Sequence, residues 1–68
     1  SKKGSAAAVL NFANDYSVFR FLEEEIKFTD IPKIIDLAMD NHQWIECPNL
    51  DDLKELDLWT KDFVKNFD

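Results

Sequence analysis

Apolar residues between positions 5 and 22 recur at the spacing of an α-helix. One face of this first predicted helix carries Val9, Phe12, Ala13, Tyr16 and Phe19, which follow the helical repeat. The stripe is widened beyond half the circumference by Leu10, Val18, Phe21 and Leu22. A helix that is apolar nearly all round is typical of one buried on several sides. The pattern therefore predicts more neighbours for this helix than a short chain supplies, and Ser5 is its predicted N-cap.

A second helix is predicted over residues 29–41. Its apolar positions repeat without a gap and are Ile31, Ile34, Ile35, Ala38 and Met39. Thr29 is the predicted N-cap, and Pro32 falls in the first turn, where a missing N–H does no harm. Before it, Ile26-Lys27-Phe28 alternates apolar, polar and apolar residues. This alternation predicts a short extended connector that places Ile26 and Phe28 on the core.

A third helix is predicted over residues 49–67, after a loop in which Trp44 and Ile45 cover the helix ends. Asn49 and Asp52 stand three apart, as in a capping box with Asp in place of Glu. The apolar face includes Leu50, Leu53, Leu56, Phe63 and Phe67. Acidic residues precede lysines along this segment, which suits the helix dipole.

Three helices without a strand predict an all-α fold, a small three-helix bundle. Residues 1–4 are expected to be frayed or to be the cut edge of a longer chain, and residues 5–68 to form the helical domain. The residues expected to pack this domain are Val9, Phe12, Tyr16, Phe19, Ile31, Ile34, Ile35, Leu53, Leu56 and Phe63.

Composition narrows the function classes. The chain has 68 residues, enough for one domain, and 46% of them are hydrophobic, including six Phe and two Trp. That aromatic load indicates either an unusually dense core or an apolar surface that meets a partner. The net charge of −6 repels phosphate backbones and anionic lipid, so neither nucleic acid nor membrane is expected as a partner. The single cysteine excludes an intramolecular disulfide.

No constellation in the chain predicts chemistry. The single glycine, Gly4, excludes a glycine-rich phosphate loop. His42 and Cys47 could form half of a zinc site, but no second pair exists, and as a nucleophile and base they lack an orienting third group. We interpret His42 as a helix-end residue and Cys47 as a small buried one. The acidic run at residues 23–25 is interpreted as solvated. No catalytic, cofactor-binding or metal-binding residue is therefore predicted.

Three segments stand in a fixed order along the chain. They read Ala8-Val9-Leu10-Asn11-Phe12-Ala13-Asn14-Asp15 with Phe21-Leu22, then Ile26-Lys27-Phe28-Thr29-Asp30-Ile31-Pro32, then Pro48-Asn49-Leu50-Asp51-Asp52-Leu53 with Leu56-Asp57. Over residues 4–65 this order resembles the C-terminal helical domain of 1-deoxy-D-xylulose 5-phosphate reductoisomerase. That family carries Leu-Asn-Ala-Ala-Asn-Glu, Phe-Leu, Ile-x-Phe-x-Asp-Ile and Pro-Ser-Leu-Glu-Asp elements. Here Phe12 replaces Ala, Asp15 replaces Glu, and Tyr16-Ser17 replaces small apolar residues.

The resemblance implies an enzyme of non-mevalonate isoprenoid biosynthesis. Members of this family make 2-C-methyl-D-erythritol 4-phosphate with NADPH and a divalent metal, Mg or Mn. The resemblance also implies a homodimer, located in the bacterial cytoplasm or in a plastid-type organelle. The family's catalytic, cofactor and metal residues lie upstream of the matched region, so none is carried over. The resemblance implies that the three-helix bundle is part of a larger helical C-terminal domain. The chain is then expected to be a structural segment that packs on the catalytic domain.

A second hypothesis comes from another class of protein, an independent acidic helical protein-interaction module without an enzymatic parent. The start of the chain, Ser1-Lys2-Lys3-Gly4, lacks an initiator Met, which fits a piece of a longer chain. The length of the reading frame upstream of Ser1 separates the two hypotheses. A long upstream extension with a glycine-rich nucleotide-binding motif favours the enzyme, and a start near Ser1 favours the module.

Overall fold

The computed structural model describes residues 4–67. They form three helices, α1 (Gly4–Leu22), α2 (Asp30–Asn41) and α3 (Leu50–Lys65), and no strand occurs in this range. The predicted all-α three-helix fold is confirmed. The fraying expected of residues 1–4 does not apply to Gly4, which lies in α1, while residues 1–3 and 68 lie outside the described range. Relative to the sequence prediction, α1 starts one residue earlier, α2 starts one residue later, and α3 ends at Lys65 rather than at residue 67.

The helix α1 lies between the other two. It packs on both α2 and α3, which scarcely touch each other. Ser5, at the start of α1, contacts Ile45 in the loop after α2, so α2 runs antiparallel to α1. Tyr16 meets Asp57, and Arg20 meets Val64 further along, so α3 runs parallel to α1. The ends of α1 and α3 therefore lie at the same end of the bundle.

The buried face of α1 consists of small side chains. Ser5, Val9, Ala13 and Ser17 are all fully buried and stand four residues apart, which places them on one side of the helix. Small side chains let two neighbouring helices approach the same helix closely. The apolar stripe predicted from the sequence is therefore displaced, because the larger aromatic residues flank this contact line. Phe19, predicted to pack, is 63% exposed.

The core forms where the three helices meet. Val9, Ala13, Ala38 and Leu56 are its contiguous buried residues. Half-buried side chains pack around them, namely Phe12, Ile35, Met39, Ile45, Trp59 and Phe63. The rings of Trp59 and Phe63 stack with their centroids 4.8 Å apart. Large apolar groups thus surround a core of smaller ones.

The chain leaves α1 through a Schellman motif. The N–H of Glu25 donates to the carbonyl of Arg20 and the N–H of Glu24 to that of Phe21, both at 2.9 Å, which is the pairing that defines this helix end. Glu24 has φ 62°, in the left-handed region that favours glycine. In a Schellman motif, an apolar contact usually joins the residues that stand here at positions 20 and 25. In this chain an ion pair at 2.9 Å between Arg20 and Glu25 takes its place.

The predicted extended connector is wrong. Residues 23–29 form turns and bends, because the Schellman motif reverses the chain directly after α1. Ile26 is half-buried, as expected, but Phe28 is 68% exposed. The Phe28 ring contacts Phe21 edge to face, with centroids 5.5 Å apart, instead of reaching the core.

The two N-caps predicted for α2 and α3 have opposite outcomes. Thr29 makes no capping hydrogen bond, since its backbone is helical (φ −69°, ψ −14°), whereas a capping residue needs an extended backbone. Instead, the Asp30 carboxylate accepts from the Lys27 N–H at 2.9 Å. The capping box of α3 is confirmed. Asn49 Oδ1 accepts from the Asp52 N–H at 2.8 Å, and Asp52 Oδ2 accepts from the Asn49 N–H at 3.0 Å.

Ser5 joins α1 to the loop between α2 and α3 and does not act as an N-cap. It lies inside α1, and its Oγ accepts from the Ile45 N–H at 2.7 Å. The same Oγ lies 3.1 Å from His42 Nε2. The close approach continues at Gly4, where a Cβ would lie 2.7 Å from the Ile45 carbonyl oxygen. A glycine is therefore needed at this contact.

The loop itself differs from the prediction at two residues. Ile45 is half-buried on the core, but Trp44 is 53% exposed and does not cover the helix ends. Cys47, predicted to be buried, is exposed. Ser5 holds the backbone of Ile45 on α1, and the side chains on either side of it point outward as a result. His42 ends α2, as expected, with its N–H donating to the Ala38 carbonyl.

Candidate functional site

Metal ions in proteins are held by clusters of side chains such as His, Cys, Asp and Glu. Within residues 4–67, no group of three or more His, Cys, Asp or Glu side chains is placed to hold a metal ion. The ring of His42 is engaged by Ser5 and by the Met39 carbonyl oxygen, which lies 3.0 Å from Nδ1. Among the helices of the same range, none is long and apolar enough to cross a membrane.

The surface carries large apolar side chains instead. Eight of them are exposed, with between 42% and 73% of their area accessible, and they are Leu10, Phe19, Leu22, Phe28, Leu37, Trp44, Leu50 and Leu58. Phe19, Leu22 and Phe28 lie at the end of the bundle where α1 finishes. An apolar surface of this extent is typical of a protein-contact surface, so it is the candidate functional site.

One groove on this surface lies between α1 and α3, and we call it the α1–α3 groove. It has a volume of about 240 Å³. It is lined by Tyr16, Phe19, Arg20, Glu25, Lys61, Val64 and Lys65. Most of the lining surface is apolar, and four charged side chains complete the lining. The groove can therefore bind an apolar group beside charged ones.

Arg20, which lines the α1–α3 groove, joins α1 to the end of α3. Its Nη1 donates to the carbonyl oxygens of Val64 and Phe67, both at 2.7 Å. The Val64 carbonyl belongs to the last turn of α3, where four such groups have no partner in the i→i−4 ladder of the helix, and Phe67 follows directly after the helix. A cation at a helix C-terminus also suits the dipole. Arg20 thus caps α3 from a neighbouring helix, a role that no local sequence pattern predicted.

Tyr16 also lines the α1–α3 groove. Its hydroxyl donates to the Asp57 carboxylate, which joins α1 to α3. The hydrogen bond to Asp57, followed by burial and the negative charges of Asp57 and Asp15, raises the pKa of Tyr16 to about 12 from its usual value of 10.0. A phenolate at this position would face two carboxylates, so the neutral form is favoured.

The Tyr16–Asp57 contact predicts a loss of stability at alkaline pH. A group with a raised folded-state pKa stabilises the fold fully below its unfolded pKa, and that contribution is lost as the pH rises from about 10 to about 12. We expect the free energy of unfolding to fall over this range, and to fall less in Tyr16→Phe. Urea unfolding of both proteins across these pH values measures the difference.

A direct titration provides the control for this prediction. Tyr16 is the only tyrosine, so the absorbance of phenolate reports this residue alone in the unsubstituted chain. Lysine deprotonation occurs in both proteins and cancels in the comparison. A phenolate that forms near pH 10 in the folded chain, or equal alkaline slopes for both proteins, would contradict the coupling.

The residues predicted to pack the domain fall into three groups. Val9, Ile31, Ile34 and Leu56 are buried. The half-buried ones are Phe12, Tyr16, Ile35, Leu53 and Phe63. Phe19 is exposed and lines the α1–α3 groove. Contact of any of them with a further domain stays a prediction. The fold and this surface define a class of protein, a small all-helical domain that exposes large apolar side chains.

The comparison with known families identifies the domain more closely. Residues 1–63 match the family described as the DXP reductoisomerase C-terminal domain, where DXP is 1-deoxy-D-xylulose 5-phosphate. The match covers most of the chain, so the chain belongs to this family. The resemblance found in the sequence motifs is therefore confirmed.

Individual relatives agree with the family match. Proteins named 1-deoxy-D-xylulose 5-phosphate reductoisomerase from Synechococcus sp. and Nostoc sp. are 48% and 49% identical to the chain, over 94% and 90% of its length. The protein of that name from Acetivibrio thermocellus is 44% identical over 91%. The chain spans 16% of the length of each of these relatives. No solved structure matches the chain.

Proposed function

We propose that this chain is the C-terminal structural segment of a DXP reductoisomerase and that it braces the remainder of the enzyme through helix packing. The observation that carries the proposal is the set of exposed apolar side chains on a member of this family. Phe19, Leu22 and Phe28 each leave more than 60% of their surface accessible. Covering such surface against another domain removes apolar area from water and stabilises the assembly.

The chemistry belongs to the rest of the enzyme. The relatives carry the name 1-deoxy-D-xylulose 5-phosphate reductoisomerase, and we assign that activity to the whole protein, in non-mevalonate isoprenoid biosynthesis. We also assign the binding of NADPH and of a divalent metal, Mg or Mn, to the rest of the enzyme. For the metal this agrees with residues 4–67, which hold no group of three or more His, Cys, Asp or Glu side chains placed to bind it. The whole enzyme would be a homodimer of the bacterial cytoplasm or of a plastid-type organelle. Its acidic C-terminal segment would contact neither nucleic acid nor membrane.

The independent interaction module accounts for the same surface less well. It explains the exposed apolar side chains, but it gives no reason for a family match over residues 1–63. It also gives no reason for 48% identity to a segment of a named enzyme. The C-terminal segment of an enzyme accounts for all three observations.

A chimera tests the proposal. The 66 matched residues of the Synechococcus enzyme would be exchanged for this chain, and NADPH oxidation with 1-deoxy-D-xylulose 5-phosphate would be measured. We expect the chimera to retain turnover within about tenfold of the parent, since packing complementarity tolerates volume-conserving changes. The 68-residue chain alone is expected to show no turnover.

Two controls define the outcome. The Synechococcus enzyme truncated before the matched segment should lose stability or turnover, which shows that the segment is needed. The intact Synechococcus enzyme sets the reference rate. A chimera no more active or stable than the truncated enzyme would contradict the bracing role, and turnover by the isolated chain would contradict the location of the chemistry.

A further inference from the structure

The α1–α3 groove differs in charge from the rest of the chain. The whole sequence has a net charge of −6, yet the groove is lined by the cations Arg20, Lys61 and Lys65 and by one anion, Glu25. A positive region on an acidic protein is favoured where it meets a negative partner. The positive charge of the groove therefore favours a negatively charged group as the one that it binds.

The unpaired charge in the groove belongs to two lysines. Glu25 neutralises Arg20 through the ion pair at 2.9 Å, and Arg20 is further engaged by the α3 carbonyls. Lys61 and Lys65 are exposed and form no ion pair within residues 4–67. They stand four residues apart on α3, so they project from one face about one helical turn apart.

The same groove has an apolar part. Phe19 of α1 lines it with 63% of its surface exposed, and Val64 of α3 lines it although it is almost fully buried. An apolar ring beside two ammonium groups one turn apart is complementary to one side of an amphipathic helix. Two carboxylates at i and i+4 on such a helix have the spacing of the lysines, and an apolar side chain beside them packs on Phe19.

We propose that the α1–α3 groove binds an acidic amphipathic helix from the remainder of the same enzyme. Carboxylates of that helix pair with Lys61 and Lys65, and one of its apolar side chains covers Phe19. This inference rests on the proposed function, and it adds the chemistry of the partner surface. Two copies of a chain with net charge −6 repel each other. A groove that met a different face of a second copy would also form a head-to-tail contact, which builds a ring or an open filament and not a two-fold dimer.

Zero-length crosslinking of the chimera tests the partner. A carbodiimide joins a lysine amine to a carboxylate only where the two are in contact. Lys61 and Lys65 are expected to crosslink to Asp or Glu residues of an apolar-flanked helix outside the exchanged segment, identified by mass spectrometry. Lys33 and Lys54 are the internal controls, since both are exposed lysines outside the groove and should give few such links.

Charge reversal provides the second arm. Lys61→Glu with Lys65→Glu is compared with Lys33→Glu and Lys54→Glu, which change the net charge equally. The groove pair is expected to lower the melting temperature of the chimera more than the control pair does, with a difference that shrinks at high salt. The double variant Lys61→Gln with Lys65→Gln removes the attraction to the partner without placing new negative charge near the negative end of the α3 dipole. This variant should also lower the melting temperature of the chimera.

The outcomes are distinguishable. Links from Lys61 and Lys65 only to residues of the exchanged segment, or only between copies of the chimera, would overturn the assignment of the partner. Equal effects of the groove pair and the control pair would also overturn it. A chimera without turnover overturns the proposed function first, whereas an active chimera that fails the crosslinking test overturns only this inference.

Discussion

Replacing Ile34 with Ala is expected to remove most of the stability of the chain. Ile34 is the largest fully buried side chain, with none of its surface accessible. Truncating such a residue to Ala costs about 2–5 kcal/mol, because transferred apolar surface and cavity formation both contribute. A single core of this length rarely supplies more than about 3–5 kcal/mol. Urea unfolding followed by far-ultraviolet circular dichroism measures the loss.

Leu37→Ala is the matched control on the same helix. Leu37 is 42% exposed, so its truncation leaves little cavity, and Ala is the better helix former. We expect a cost below about 1 kcal/mol for this variant, since partly exposed side chains lose less burial. Equal losses for Ile34→Ala and Leu37→Ala would mean that α2 does not pack through the face that carries Ile31, Ile34 and Ala38.

The sequence predicted α2 and α3 well because their signals are local. The apolar positions of α2 follow the helical repeat, and Ile31, Ile34 and Ala38 are its buried residues. The capping box of α3 needs only Asn49 and Asp52, which are three residues apart. Such signals depend only on the residues of a single helix. They can therefore be recognised without knowing which helices pack against it.

The contact face of α1 could not be read in the same way. Its apolar residues surround the helix, so hydrophobicity alone does not select a side. The buried line contains two serines, Ser5 and Ser17, which a polarity pattern assigns to the surface. Small residues spaced four apart were the signal that could have found this face, because close helix packing selects for size as well as polarity.

The candidate site depends on how the helices are arranged. Arg20 reaches Val64 and Phe67 only because α1 and α3 run parallel and finish together. The α1–α3 groove combines Phe19 with Lys61 and Lys65, which are more than forty positions away in the sequence. No spacing rule connects residues at that distance. The family resemblance predicted the kind of protein, whereas the groove required the structure.

Phe12→Asp and Phe19→Asp are expected to have different effects although both replace a Phe of α1. Phe12 packs against the buried core, so a carboxylate there loses the apolar contact and buries a charge without a partner. The cost is about 3 kcal/mol or more, comparable with the whole stability of the chain. Phe19 is 63% exposed, so Phe19→Asp should leave the melting of the isolated chain nearly unchanged.

The chimera with the Synechococcus enzyme then separates folding from bracing. Phe12→Asp should destabilise the isolated chain and the chimera alike, because it acts on the core of the segment. Phe19→Asp should destabilise only the chimera, since it places a carboxylate in a groove that is expected to meet carboxylates of the partner. Thermal melting of both variants in both contexts measures this pattern. If Phe19→Asp left the chimera unchanged, the exposed ring would have no partner in the enzyme, and the α1–α3 groove would not be a bracing contact.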